Sequence, residues 1–300
     1  SLNTFMNAFT SSDWTMYPFS TENKKDFYNL MDVYTNAVFF PELTELSFKQ
    51  EGHRVERDND DKDKLLFKGV VYNEMKGAMS SPNQIMVRSL LKSLYPDTTY
   101  SNNSGGNPQD IPDLTHDALR QFHKRYYHPS NSVFYTYGDL PLASHLQFIN
   151  RNILSGFKKT NPNTHVPAQP KWDKPRNETY YFPASKDDDL TKKYQGSLAW
   201  LTADTTDNYE VLILSVLSEI LLGNAASPLH KALIDSGLGS ALSDGTGFDP
   251  DNRDTMFSCG LKDIEKESVK KIESLIMDVL MNLAENGIDK ELTETAIHQI

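Results

Sequence analysis

The sequence predicts an α+β fold built as two mixed sandwich domains. Three observations carry that reading. Three hundred residues exceed the size at which one hydrophobic core usually stays undivided. Strand-like and helix-like periodicities interleave without strict alternation, which points to mixed layers rather than a doubly wound parallel sheet. Between the halves, "KKTNPNTHVPAQPKWDKPRN" (158–177) holds four prolines and no periodicity, the composition of a linker. The expected organisation is a domain over 1–157, a linker over 158–177 and a second domain over 178–300.

Taken in order, "MNAFTSSDWTMYPFST" (6–21) reads as two strands about a Ser-Ser-Asp turn. Residues 22–40 are an amphipathic helix with Phe27, Leu30, Met31, Tyr34 and Val38 on one face, ended by Pro41. A shorter helix is expected around Phe48–Val55, followed by the acidic loop "RDNDDKDK" and a helix over 65–79. Pro82 opens a further helix through Leu94, and 100–112 is a turn-rich loop. "DLTHDALRQFHKRYY" is a helix capped by Thr115, "SVFYTYG" (132–138) a buried strand, and 141–155 a helix closing the first domain. In the second domain "ETYYFP", "QGSLAWLT" and "DTMFSCGLK" read as strands. The apolar helix 208–222 stops at Gly223, "SPLHKALIDSG" is a shorter helix, and 265–286 is a long one. The chain starts "SLNTFMNAFT", with no initiating Met and no targeting pattern, and its last residues lie inside a helix with no stop signal. A piece of a longer protein is expected, truncated in both domains.

Composition narrows the function. Thirty basic against forty-one acidic residues give a net charge of −11, which disfavours nucleic acid as a partner because a phosphate-binding surface needs a basic stripe. No apolar run is long enough to span a membrane. The single cysteine, Cys259, excludes an internal disulfide and fits a reducing compartment.

Few motifs survive inspection. "HRVER" (53–57) falls one residue short of H-x-x-E-H, since Arg57 stands where a second zinc-binding histidine is required. The remaining histidines show no pair at ligand spacing. "NSGGNP" lacks the rest of a phosphate loop, "GLGSALSDGTG" does not lead from a strand into a helix, and no G-x-S-x-G is present. Glu74 stands out. In "FKGVVYNEMKGAMSSP" it shares a helical face with Val70, Val71 and Ala78. A solvated position, a buried ion pair and a metal ligand all remain open, although the apolar neighbours favour a carboxylate that faces inward or into a cleft.

Five ordered blocks, "SLNTFMNAFTSSDWTMYPFST", "DFYNLMDVYTNAVFFPEL", "FKGVVYNEMKGA", "YSNNSGGNPQDIPDLT" and "FHKRYYHPSNSVFYTYG", together resemble the presequence protease branch of the pitrilysin/insulinase zinc metallopeptidases. The likeness is dense over 1–157 and thinner beyond. It implies a clamshell of α+β domains closing over short unstructured peptides, with this chain a fragment of the N-terminal half. It also implies a catalytic zinc held by an H-x-x-E-H helix and a distal glutamate, whose position Glu74 matches. "MNAFTSSDWT" matches the edge strand that holds the peptide, placing Asn7, Ala8, Phe9 and Thr10 at the substrate. The H-x-x-E-H segment itself is missing, so the chain alone is expected to be inactive and to depend on other parts of the same polypeptide. The alternative is a fragment of a non-catalytic, peptidase-like binding or assembly subunit. Relatives of this kind imply a bacterial cytoplasm, a mitochondrial matrix or a chloroplast stroma.

Overall fold

The computed structural model describes residues 4–300. The protein divides into two compact units. One takes the chain up to Lys76 with Ser104–His165, and the other takes Gly77–Asn103 with Val166–Ile300.

The first unit opens with a hairpin. Phe5–Met6 pairs antiparallel with Phe19–Ser20, and Phe9–Thr10 with Thr15–Met16. These pairs and the Asn7 N–H to Pro18 C=O bond (3.2 Å) share one register, so the two short ladders are one interrupted hairpin. Pro18 causes the interruption, because it has no N–H to return to Asn7. The helix Lys24–Phe39 follows, its first turn capped by Asn23 Oδ1, which accepts from the Lys25 and Asp26 N–H groups at 3.0 Å. Its inner face supplies Met31 and Phe39 to a small core with Ile149 and Ile153 from the Leu142–Asn152 helix and its end. The hairpin joins this core through Phe19, whose ring lies 5.2 Å from Phe27 and 5.4 Å from Tyr34.

Three sequence expectations need correction here. The helix around Phe48–Val55 is instead a turn, Glu45–Ser47, widening into a π-helical turn at Phe48–Gly52; Arg54–Arg57 is a strand. That strand pairs with Leu65–Lys68, so the expected 65–79 helix begins only at Val70 and ends at Ala78. Gly69 makes the break: a Cβ there would lie 2.1 Å from the Gly52 carbonyl oxygen. Third, residues 132–138 form no strand. Phe134 packs on Phe39 with ring centroids 5.9 Å apart, while Val133, Tyr135 and Tyr137 on the alternate face are 95%, 83% and 90% exposed. The alternation is that of a strand, but among the described residues no neighbouring strand completes a ladder.

The second unit is a sheet between helices. Tyr194–Asp204 runs antiparallel to Asp254–Ile264, and the other edge of Asp254–Ile264 pairs with Ala241–Leu242 and Gly247–Asp249. One sheet face, with Cys259, Leu261 and Ile264, packs on Leu221, Leu229, Leu233, Ile272 and Ile276 from the helices Asn208–Leu222, Pro228–Asp235 and Val269–Asn286. The opposite face, with Met256, Ala199 and Leu201, meets Leu91, Leu94 and Tyr95 of the Pro82–Leu94 helix and its end. Residues alternate between the two faces along Tyr194–Asp204, as a strand buried on both sides requires.

This division differs from the expected 1–157 and 178–300 in that 77–103 belongs with the later part of the chain. The segment 158–177 does lack regular secondary structure, yet it is anchored at Val166, which packs on the second unit's core, and at Gln169. Gln169 is buried: its N–H donates to Asp254 at 2.7 Å, its side-chain amide donates to Asp97 at 2.7 Å, and its Oε1 accepts the Asp97 N–H at 3.1 Å. A backbone without ladder partners is thereby held by side chains. "ETYYFP" is likewise irregular, with Tyr181 89% exposed.

Candidate functional site

Glu74 sits in the middle of the Val70–Ala78 helix, whose first turn is closed by the Asn73 N–H donating to the Gly69 carbonyl at 3.0 Å. Of the two expected settings, inward or into a cleft, the inward one is not realised in this chain. Glu74 is exposed, no residue of its helix is buried, and Val70 and Val71 beside it are 55% and 36% exposed. The apolar stripe that suggested a core contact is a surface stripe here. Among the described residues Glu74 has no ion pair, so the buried-ion-pair alternative falls away. The loop that follows comes close to this helix at Gly105, where a Cβ would stand 2.2 Å from the Met75 sulfur.

The hairpin residues Asn7, Ala8, Phe9 and Thr10 lie in the same compact unit and are all exposed. Antiparallel pairing alternates the direction of main-chain groups. The Ser11 N–H donates to the Trp14 carbonyl at 2.9 Å and the Asn7 N–H to Pro18, so the groups of Phe5, Asn7, Phe9 and Ser11 turn toward the return strand. Those of Met6, Ala8 and Thr10 turn to the outer edge, which has no ladder partner among the described residues. Of the four expected residues, Ala8 and Thr10 therefore present backbone to an added strand, whereas Asn7 and Phe9 present side chains. Two tyrosines fix the hairpin. Tyr34 O–H donates to the Asn7 carbonyl at 3.2 Å, and the Tyr17 and Tyr127 hydroxyls lie 2.9 Å apart, with burial pushing the Tyr17 phenol well above its ordinary pKa. Neither anchor is announced by a sequence pattern; Pro18, which leaves the Asn7 carbonyl unpaired in the ladder, is the one available signal.

The remaining candidates are committed elsewhere. In "HRVER", His53 is hydrogen-bonded to the Leu114 carbonyl at 2.8 Å, and Glu56 pairs with Arg54 at 2.6 Å and Lys68 at 3.0 Å. Hydrogen bonds from Lys68 and then Arg54 hold the Glu56 carboxyl below its usual range. His123 bonds the Val38 carbonyl and stacks on Tyr127 at 4.6 Å, while His128 Nδ1 accepts the Ser130 N–H at 3.0 Å. His145 is buried against Phe27 and Tyr28. Cys259 is fully buried and its thiol pushed up to about 12 by desolvation, which removes it as a nucleophile at neutral pH. Among the described residues, no three of His, Cys, Asp and Glu converge in a way that could hold a metal ion. No helix among them is long and apolar enough to cross a membrane.

Residues 113–300 match the family model described as the peptidase M16 inactive domain. The chain belongs to the M16 peptidase family. Along its whole length this M16 chain is similar to curated relatives. It is 47% identical over 305 residues to the mitochondrial presequence protease of Xenopus tropicalis, covering 30% of that protein. The chloroplastic/mitochondrial presequence protease 1 of Arabidopsis thaliana is 41% identical over 304 residues, with 28% covered. Protein HypA of Clostridium perfringens is 41% identical over 302 residues, with 31% covered. The chain thus spans under a third of the length of these relatives. Among solved structures, a protease from Helicobacter pylori matches with a TM-score of 0.75 at 20% identity, over 99% of this chain and 67% of that one. A chain of complex III2 from Candida albicans matches at 0.67 and 15% identity, over 99% and 66%. These likenesses show the fold. Glu74 and the hairpin both precede the part matched by the family model, but fall within the part aligned with the presequence proteases.

Proposed function

We propose that this chain is part of a zinc metalloendopeptidase that degrades short unstructured peptides of the targeting-peptide type. It contributes the outer hairpin edge as a peptide-holding strand and Glu74 as one metal ligand. The observation that carries the reading is the similarity to presequence proteases along the entire chain, at 41–47% identity in the vertebrate and plant relatives named above. Geometry supports it in two places. The outer edge, which has no ladder partner among the described residues, turns the main-chain groups of Ala8 and Thr10 outward, where they can pair with a peptide independently of its sequence. Glu74 has no competing ion pair among the described residues and lies on an open surface, as a carboxylate must to meet a metal held by another segment.

The donor set of this chain alone does not fit a zinc ion. Catalytic zinc takes three protein ligands and keeps one open position, and Glu74 is a single carboxylate without a converging partner. The other ligands and the general base would come from residues outside the chain, so no hydrolytic step is assigned to these residues alone. The names of the relatives suggest an organellar or bacterial setting, and other parts of the same polypeptide are the proposed partners.

The test is Glu74→Gln in the full-length polypeptide that carries this chain, with zinc content by atomic spectroscopy and cleavage of an unstructured peptide as readouts. Both should fall, cleavage by about 100-fold or more, since even outer-shell changes cost 10–100-fold. Unchanged zinc and turnover would remove Glu74 from the metal site. A wild-type polypeptide with neither zinc nor turnover would favour the non-catalytic binding or assembly subunit.

A further inference from the structure

The outer edge of the hairpin is not equally open along its length. Its outward main-chain groups belong to Met6, Ala8 and Thr10, and the central donor is the Ala8 N–H. That N–H is already taken: Asn7 Oδ1 accepts it at 2.8 Å. The backbone of Asn7 is meanwhile fixed on its other side. Its N–H is paired with Pro18 and its carbonyl accepts from Tyr34 at 3.2 Å, the place left by the missing proline donor. With the backbone held in this way, the side-chain carbonyl stands where the carbonyl of an added strand would stand.

We propose that Asn7 is a latch on the peptide-binding edge, its Oδ1 standing in for a peptide carbonyl at the Ala8 N–H until a peptide displaces it. The proposal rests on the peptidase reading above and adds a residue that sets the affinity of the edge. An added strand gains a bond at Ala8 only by breaking the one to Asn7, so this position contributes little net affinity. Exchange of equivalent hydrogen bonds has this effect wherever both states are satisfied. Peptides that pair along the whole edge displace the latch, whereas those that pair only at Thr10 leave it closed. The latch therefore narrows the advantage that longer extended peptides hold over short ones.

The test measures Kd for a fluorescent unstructured peptide by anisotropy, using the full-length polypeptide treated with chelator so that no turnover interferes. Asn7→Ala frees the Ala8 N–H and should tighten binding about two- to tenfold, the worth of one net hydrogen bond. Asn7→Asp keeps the acceptor and charges it, and should weaken binding. Ala8→Pro removes the donor itself and should weaken binding whatever Asn7 does. Weaker or unchanged binding by Asn7→Ala, with Ala8→Pro weakening as expected, would overturn the latch while leaving the edge intact. Unchanged binding by Ala8→Pro would overturn the edge reading and the latch with it. Thermal unfolding of each variant identifies any loss that comes from misfolding, and Asn7→Asp then serves where Asn7→Ala does not fold.

Discussion

Asp249 shows how a single side chain contributes to the pH response of the second unit. Its carboxyl is half-buried at the sheet edge, and desolvation raises its pKa above the ordinary aspartate value, against a lowering hydrogen bond from the Asp251 N–H at 2.9 Å. Between the unfolded pKa and the raised folded one, the folded state binds the proton more readily than the unfolded state. Stability therefore rises as pH falls through that window, and at neutral pH the charged carboxylate is a cost. Asp249→Asn keeps an acceptor for Asp251 and removes the charge. It should raise Tm at pH 7, and the gain should shrink as pH is lowered through the raised pKa. A variant less stable at pH 7, or equally more stable at every pH between 7 and 4, would contradict this account. Glu74 is the counterpart at the candidate site. Its helix was legible from periodicity, but its exposure was not, because an apolar stripe reports a contact without saying which polypeptide segment makes it.

Elements differed in legibility for a related reason. The helices Lys24–Phe39, His116–Tyr126 and Asn208–Leu222 carry their own caps and periodicity, and Pro82–Leu94 its starting proline and periodicity, so local sequence defines them. Strands need partners. Residues 132–138 alternate as a strand but find no ladder, and Leu65–Lys68 was merged into the following helix because its apolar residues continue the helical stripe across Gly69. The long pair Tyr194–Asp204 and Asp254–Ile264 shows what a satisfied strand demands in return. Gly260 pairs with Ser197 there, and a Cβ on Gly260 would lie 2.0 Å from the carbonyl oxygen of the neighbouring Gly196. Neither backbone can yield without opening the ladder. Gly260→Ala should destabilise the second unit by about 3 kcal/mol, at the upper end of ordinary overpacking. Denaturant unfolding followed by Trp200 fluorescence reads this out, and a change below about 0.5 kcal/mol would show that the strands separate freely.

At the scale of the whole molecule, surface and chemistry point the same way. The apolar side chains of Val133, Tyr135 and Tyr137, with Val70 beside Glu74, are exposed, and the proposed larger enzyme would have to supply both their cover and the other metal ligands. The reading as part of a larger enzyme therefore makes a strong claim about the chain in isolation. It should hold no stoichiometric zinc at micromolar concentration and should not cleave peptides. Micromolar affinity requires about 8 kcal/mol, and complete structural sites reach roughly 10–16 kcal/mol only because several ligands act together. A single exposed carboxylate competing with water supplies a small part of that. Metal content after dialysis against micromolar zinc, and cleavage of an unstructured peptide with and without chelator, decide the matter. One retained equivalent of zinc, or chelator-sensitive turnover, would mean that these 300 residues assemble a metal site of their own. If the chain alone holds no zinc, supplying a polypeptide segment with an H-x-x-E-H motif should bring zinc to Glu74 on the proposed reading, and Glu74→Gln should prevent it.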